Sequence, residues 1–160
     1  MLKIAAYSAL STLILAVSGP AIAGGQKVSN DLNKCQAGKG PAVLVNVSGV
    51  KAATGKMRVQ TYRGVKSEWL KRGAWLHRVE IPARTGDMKF CLPVTKAGTY
   101  AVAIRHDINN NGKTDIFGDG GGMSNNPSIS IFNLGKPSYK KTKFAMGNEV
   151  KSIHIKMKYR

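Results

Sequence analysis

The chain has 160 residues, with 25 Lys and Arg against 8 Asp and Glu, a formal net charge of +17 at pH 7. That length allows one domain with a real hydrophobic core. The charge draws anions, but aromatic residues make up only 7% and do not interleave with the basic ones, which argues against a specific nucleic-acid module.

The N-terminus reads as a targeting segment. "MLK" supplies one positive charge, "IAAYSALSTLILAV" is apolar, and Ala21 and Ala23 are small residues at the spacing a secretory peptidase accepts. The expectation is a signal peptide over residues 1–23, cut after Ala23. Gly19 and Pro20 close the apolar run short of the ~20 residues of a membrane span. The mature chain has no second run of membrane length, so it is expected to be periplasmic or secreted.

Residues 24–40 form a Gly-, Lys- and Asn-rich tail, and 41–160 a single domain. Seven short segments then alternate apolar and polar residues. They are "AVLVNVSGV" with Val43, Val45 and Val47 on one face, "KMRVQTYR" with Met57 and Val59, and "WLHRVEIP" with Val79 and Ile81. "DMKFCLPV" follows with Met88, Phe90 and Leu92, then "TYAVAIRH" with Tyr100, Val102 and Ile104. "KTKFAM" offers Phe144 and Met146, and "SIHIKMKY" offers Ile153, Ile155 and Met157. Period-2 alternation between Gly, Pro and Asn marks half-buried strands. The predicted fold is all-β, a seven-stranded antiparallel immunoglobulin-like or transthyretin-like sandwich. The one helical candidate is "SEWLKRG", residues 67–73, with Trp69 and Leu70 covering an edge of the core.

Two cysteines, Cys35 and Cys91, fall in the exported part. An oxidising compartment makes a disulfide the expectation. Cys91 alternates with Phe90 and Leu92, so the bridge should pin the tail over the outer face of its strand. The same parity turns Lys141, Lys143, Lys156 and Lys158 outward. If the two last strands pair, these lysines form one anion-binding stripe for an anionic envelope polymer or lipid head groups. A solvated face that discourages edge pairing is the alternative.

A long loop is expected over residues 107–137. It opens with "DINNNGKTD", whose D-x-N-x-N-G-x-x-D spacing matches the start of an EF-hand-type calcium loop. Ca²⁺ is a hard cation that takes oxygen ligands. Asp107, Asn109, Asn111 and Asp115 can offer side-chain oxygens and Lys113 its carbonyl, while Gly112 permits the sharp turn. The bidentate Glu of a full loop is replaced by Gly118, and Asp119 is the nearest substitute. A metal-free turn closed by Asp and Asn side chains is the competing reading. His77, His106 and His154 lie on separate strands without zinc spacing, and no nucleophile elbow or dinucleotide fingerprint is present. His106 reads as a core residue at a strand end.

"YAVAIRHDINNNGKTD", then "GGGMSNNP" and "KFAMGNEVKSIHIKM", resemble the exported bacterial domain-of-unknown-function family 2141. The resemblance covers most of residues 41–159 and implies a secreted β-sandwich with an acidic, Asn-rich loop. "FGDGGG" departs from the longer acidic segment usual after that loop. The reading expected from all this is an exported, non-enzymatic binding module. The alternatives are a structural accessory domain for a protein partner and a small envelope enzyme using the 107–137 loop.

Overall fold

The computed structural model describes residues 25–130, 133 and 135–160. The expected signal peptide lies outside the described residues. Each of the seven alternating segments contains a strand, "SIHIKMKY" being divided between two, and β1 and β7 join them among the described residues: β1 (Gln26–Lys27), β2 (Ala42–Val50), β3 (Lys56–Arg63), β4 (His77–Pro82), β5 (Gly86–Pro93), β6 (Gly98–Asp107), β7 (Gly120–Met123), β8 (Phe144–Met146), β9 (Val150–Lys156) and β10 (Lys158–Tyr159).

Two sheets result. The larger runs β1-β4-β3-β6-β7-β10, with β8 beside β7 on the same edge of β6, and the smaller runs β5-β2-β9. The expectation of a purely antiparallel sheet pair is corrected, because β1 pairs β4 and β9 pairs β2 in parallel. Alternation identifies a strand but carries no information on the direction of a partner far away in sequence.

The inner faces are those the alternation assigns. Val43, Val45 and Val47 of β2 and Phe90 and Leu92 of β5 pack against Val59 of β3, Val79 of β4 and Val102 of β6 in one buried cluster. Burying a Val or Leu side chain fully contributes about 1.5–3 kcal/mol, so this cluster is the main stabilising element.

Both ends of the described chain stitch the sheets together. After β1 extends the large sheet, Asn30 accepts the Cys91 N–H (3.0 Å) and donates to the Lys89 carbonyl (3.0 Å), covering the edge of β5. At the other end, β9 lies in the small sheet and β10 in the large one, the chain crossing at Met157, whose N–H donates to the Ser48 carbonyl. Cys35 and Cys91 are bonded, with Cα atoms 5.7 Å apart, and pack with Ala42, Leu44 and Val150 away from the main core. The bridge thus pins a short 3₁₀ turn, Leu32–Cys35, onto the outside of the small sheet.

Two expectations need correction. "SEWLKRG" forms turns rather than a helix, with Leu70 at φ 55°, outside the helical region. Trp69 and Leu70 join Trp75 over Tyr62, Ala103 and Met123 on the outer face of the large sheet. The long loop is also interrupted by β7, which pairs with the second half of β6. A Cβ at Gly120 would run into the Tyr159 ring and one at Gly122 into Ile155. The glycines that hid this strand from a propensity reading let β10 and β9 lie close against it.

Candidate functional site

The outer face of the large sheet carries a cluster of charged side chains. Along β3, residues alternate between the core (Met57, Val59) and the opposite face (Arg58, Gln60, Tyr62). The same parity turns Arg78 and Glu80 of β4 and Arg105 of β6 outward. Register places Arg58 directly between Glu80 on β4 and Arg105 on β6, with Arg78 opposite Gln60 in the next row.

Arg58 Nε donates to Glu80 Oε1. Lys27 approaches the same carboxylate at 3.3 Å and Arg78 at 3.6 Å, so one acid serves three cations. Arg78 lies over the Trp75 ring, 4.1 Å from its centroid, which fixes the plane of its guanidinium. Arg105 donates to Thr114 Oγ1 (2.9 Å), Asp107 Oδ2 (3.1 Å) and the Gly112 carbonyl (3.0 Å). The Nε atoms of Arg78 and Arg105 are buried and have no hydrogen-bond partner among the described residues. Burial, and after it the charge of Arg58, pull the affinity of both guanidinium groups for their protons below the usual arginine range.

These side chains floor two adjoining depressions of about 220 and 380 Å³, which share Arg58, Arg105 and Gly112. The loop after β6 forms one wall. Lys71, Arg72 and Trp75 form the other. The smaller falls below the roughly 300–1,000 Å³ of clefts that bury drug-sized ligands, and the larger sits at the low end of that range. The groove suits a small charged group rather than a buried substrate.

The loop itself is closed by its own side chains. Asp107 Oδ1 accepts the Asn111 N–H and Oδ2 the Gly112 N–H. Asn109 and Asn111 both donate to Asp115 Oδ2 (2.8 and 2.7 Å), bonds that hold the Asp115 carboxyl below the ordinary Asp value. Asp119 Oδ1 accepts the Ile108 N–H and Oδ2 the Asp115 N–H. Asn111 Oδ1 accepts the Lys113 N–H. Asp107, Asn109, Asn111, Lys113, Asp115 and Asp119 are therefore brought together in one hydrogen-bonded loop, with Gly112 at φ 77° making the turn. Among the described residues, no three His, Cys, Asp or Glu side chains are grouped as metal ligands.

The lysine stripe is corrected. Lys141, Lys143, Lys156 and Lys158 are all exposed, but Lys141 lies in a one-turn helix, Tyr139–Thr142, rather than on a strand, and β8 pairs β6 while β9 pairs β2, so these two strands lie in different sheets. The Asn125–Asn126 turn separates them. Asn125 donates to the carbonyls of Lys141 and Lys143, and Asn126 bonds the His154 carbonyl and the Lys156 N–H. Lys158 Nζ donates to the Pro127 carbonyl (3.0 Å). His106 is wholly buried, with its ring nitrogens 2.8 Å from the Thr54 carbonyl and the Tyr159 hydroxyl, as expected of a core histidine.

The arginine cluster was missed by sequence reasoning. Its signal was the parity of Arg58, Arg78 and Arg105 against Val59, Val79 and Ile104, on three strands whose adjacency the sequence does not state.

The family described as "Uncharacterized protein conserved in bacteria (DUF2141)" matches residues 45–154. No curated protein and no solved structure matched.

Proposed function

The chain belongs to the DUF2141 family of uncharacterized proteins conserved in bacteria, and on that premise we propose an exported, non-catalytic β-sandwich module that binds an anionic component of the bacterial envelope. The observation that carries this reading is the cluster of Arg58, Arg78 and Arg105, where Glu80 and Asp107 are the acids that line the groove among the described residues. Immunoglobulin-like or transthyretin-like topology, cleavage after Ala23 and a periplasmic or secreted location belong to the same proposal. The disulfide supports an extracytoplasmic site, and no helix among the described residues is long and apolar enough to cross a membrane.

Binding is favoured over catalysis by the state of the acids. Burial raises the proton affinity of Glu80, but the charge of Arg58 and the bond from it outweigh that, leaving the carboxyl below its ordinary value. A general acid needs the opposite shift. The reading is tested by titrating the protein with polyphosphate and with polygalacturonate, a carboxylate polymer, at low and high salt. Affinity should fall with ionic strength and drop in an Arg58→Gln/Arg78→Gln double variant. Binding that ignores both changes would contradict the reading.

A second reading adds Ca²⁺ to the loop. One observation favours it: the candidate ligands from Asp107 to Asp119 already stand on one closed loop with Gly112 at its turn. It requires the ion to share Asp107 with Arg105.

A further inference from the structure

We infer that the arginine groove is a phosphoryl-binding site, in which Arg58 and Arg78 donate to a tetrahedral oxyanion and Arg105 supplies a fixed charge behind it. The inference rests on the anion-binding reading above and deepens it by naming the group bound.

Donor number decides the ligand class. The Nε of Arg58 is committed to Glu80, and its two Nη atoms donate to no described residue. Arg78 donates to no described residue from any of its nitrogens; its nearest acid, Glu80, is 3.6 Å away. Both side chains line the larger depression, and each keeps about a fifth of its surface exposed, 24% and 18%. The terminal nitrogens of Arg105, by contrast, are taken up by Thr114, Asp107 and Gly112. Two guanidinium groups with free N–H bonds therefore stand in neighbouring rows of one sheet. A carboxylate has two oxygens, and a single guanidinium fork satisfies it. Two forks call for an anion with three or more accepting oxygens, which a phosphoryl group provides.

Charge points the same way. Glu80 is shared by Lys27, Arg58 and Arg78, and Asp107 is engaged by Arg105, so the groove keeps positive charge that its own acids do not match. Stacking on Trp75 holds Arg78 in place before a ligand arrives, which lowers the ordering cost of binding. Tyr62, Leu70 and Trp75 line the same depression and offer an apolar wall to whatever the phosphoryl is attached to. Lipid head groups and soluble phosphate esters share this chemistry.

The test uses the mature protein with the disulfide intact. Pyrophosphate, titrated by calorimetry, is expected to saturate at one site and to bind at least tenfold more tightly than tricarballylate, a tricarboxylate. Arg78→Lys keeps the charge and loses the fork, and should weaken pyrophosphate at least tenfold while polygalacturonate binding persists. Arg58→Gln, checked for an unchanged far-ultraviolet circular dichroism spectrum, gives an independent second variant. Vesicles of phosphatidylcholine with and without phosphatidylglycerol separate the sources: binding only to the anionic vesicles assigns a lipid head group, and pyrophosphate binding alone assigns a soluble ester. Either result upholds the site. Polygalacturonate binding without saturable pyrophosphate binding would overturn the phosphoryl inference and leave the anion-binding reading standing. Failure of every anion would overturn both.

Discussion

Arg58 and Arg105 face each other as register partners on β3 and β6, two cations directly opposite on the outer face of one sheet. Like charges in that relation destabilise a strand pair. The arrangement holds because Glu80 flanks Arg58 on the far side and Asp107 takes the Arg105 guanidinium.

Glu80 should therefore matter beyond its own strand. Glu80→Gln leaves Arg58, Arg78 and Lys27 without their shared acid and is expected to cost about 1–3 kcal/mol at pH 7. The carboxyl is depressed in the folded protein, so its contribution is complete above the unfolded value near 4.5 and is lost as pH falls through the lower folded value. Melting curves of wild type and variant should converge as pH drops below that point. A constant gap down to pH 2 would show that the loss comes from packing instead.

The disulfide closes 56 residues of sequence, and on the chain-entropy model its reduction should cost ~4 kcal/mol. Because the bridge lies outside the main core, circular dichroism should keep its β signature after reduction. Thiol labelling of denatured, unreduced protein should find no free cysteine. Two labelled thiols in protein purified without reductant would refute the pairing.

Much of this frame was legible in the sequence, for reasons the elements make plain. Period-2 runs such as Val43-Val45-Val47 and Met88-Phe90-Leu92 bury one face whatever their partners are, so strand identity and core membership follow from the chain alone. Partner choice does not. The parallel pairing of β2 with β9, the separation of β8 from β9, and hence the split lysine stripe depend on contacts far apart in sequence. β7 escaped because "GGGM" has no side-chain pattern to read. The Asp and Asn residues of the loop were visible because their spacing is local. The arginine groove was not, because Arg58, Arg78 and Arg105 meet only through the order of β4, β3 and β6.

His106 and Tyr159 make a stability prediction. The Thr54 carbonyl can only accept, so in the neutral ring His106 Nε2 donates to it and Nδ1 accepts from the Tyr159 hydroxyl, which in turn accepts the Lys51 N–H. Tyr159→Phe breaks this relay and leaves a buried nitrogen unpaired, for a loss of about 1–3 kcal/mol. It should appear as a lower melting temperature with an unaltered anion affinity. An unshifted melting temperature would mean that β10 is held by the ring's packing against Gly120 alone.

The calcium reading has its own outcome. Binding to the folded state alone raises stability by RT ln(1 + [Ca²⁺]/Kd), about 1.4 kcal/mol at tenfold excess over Kd. Asp107→Asn should abolish the rise and Lys113→Ala should keep it, since that residue would lend only its carbonyl. A melting temperature identical in chelator and in millimolar Ca²⁺ would assign the loop to its own hydrogen bonds and Arg105.

The proposed ligand face is the outer surface of the large sheet. It is tested by amide and arginine Nε–H nuclear magnetic resonance shifts, followed while pyrophosphate is added to a protein of residues 24–160. Saturable shifts are expected at Arg58, Arg78, Arg105 and Gly112, with Lys141, Lys143, Lys156 and Lys158 unmoved. Shifts confined to those four lysines, or spread evenly over the surface, would contradict it.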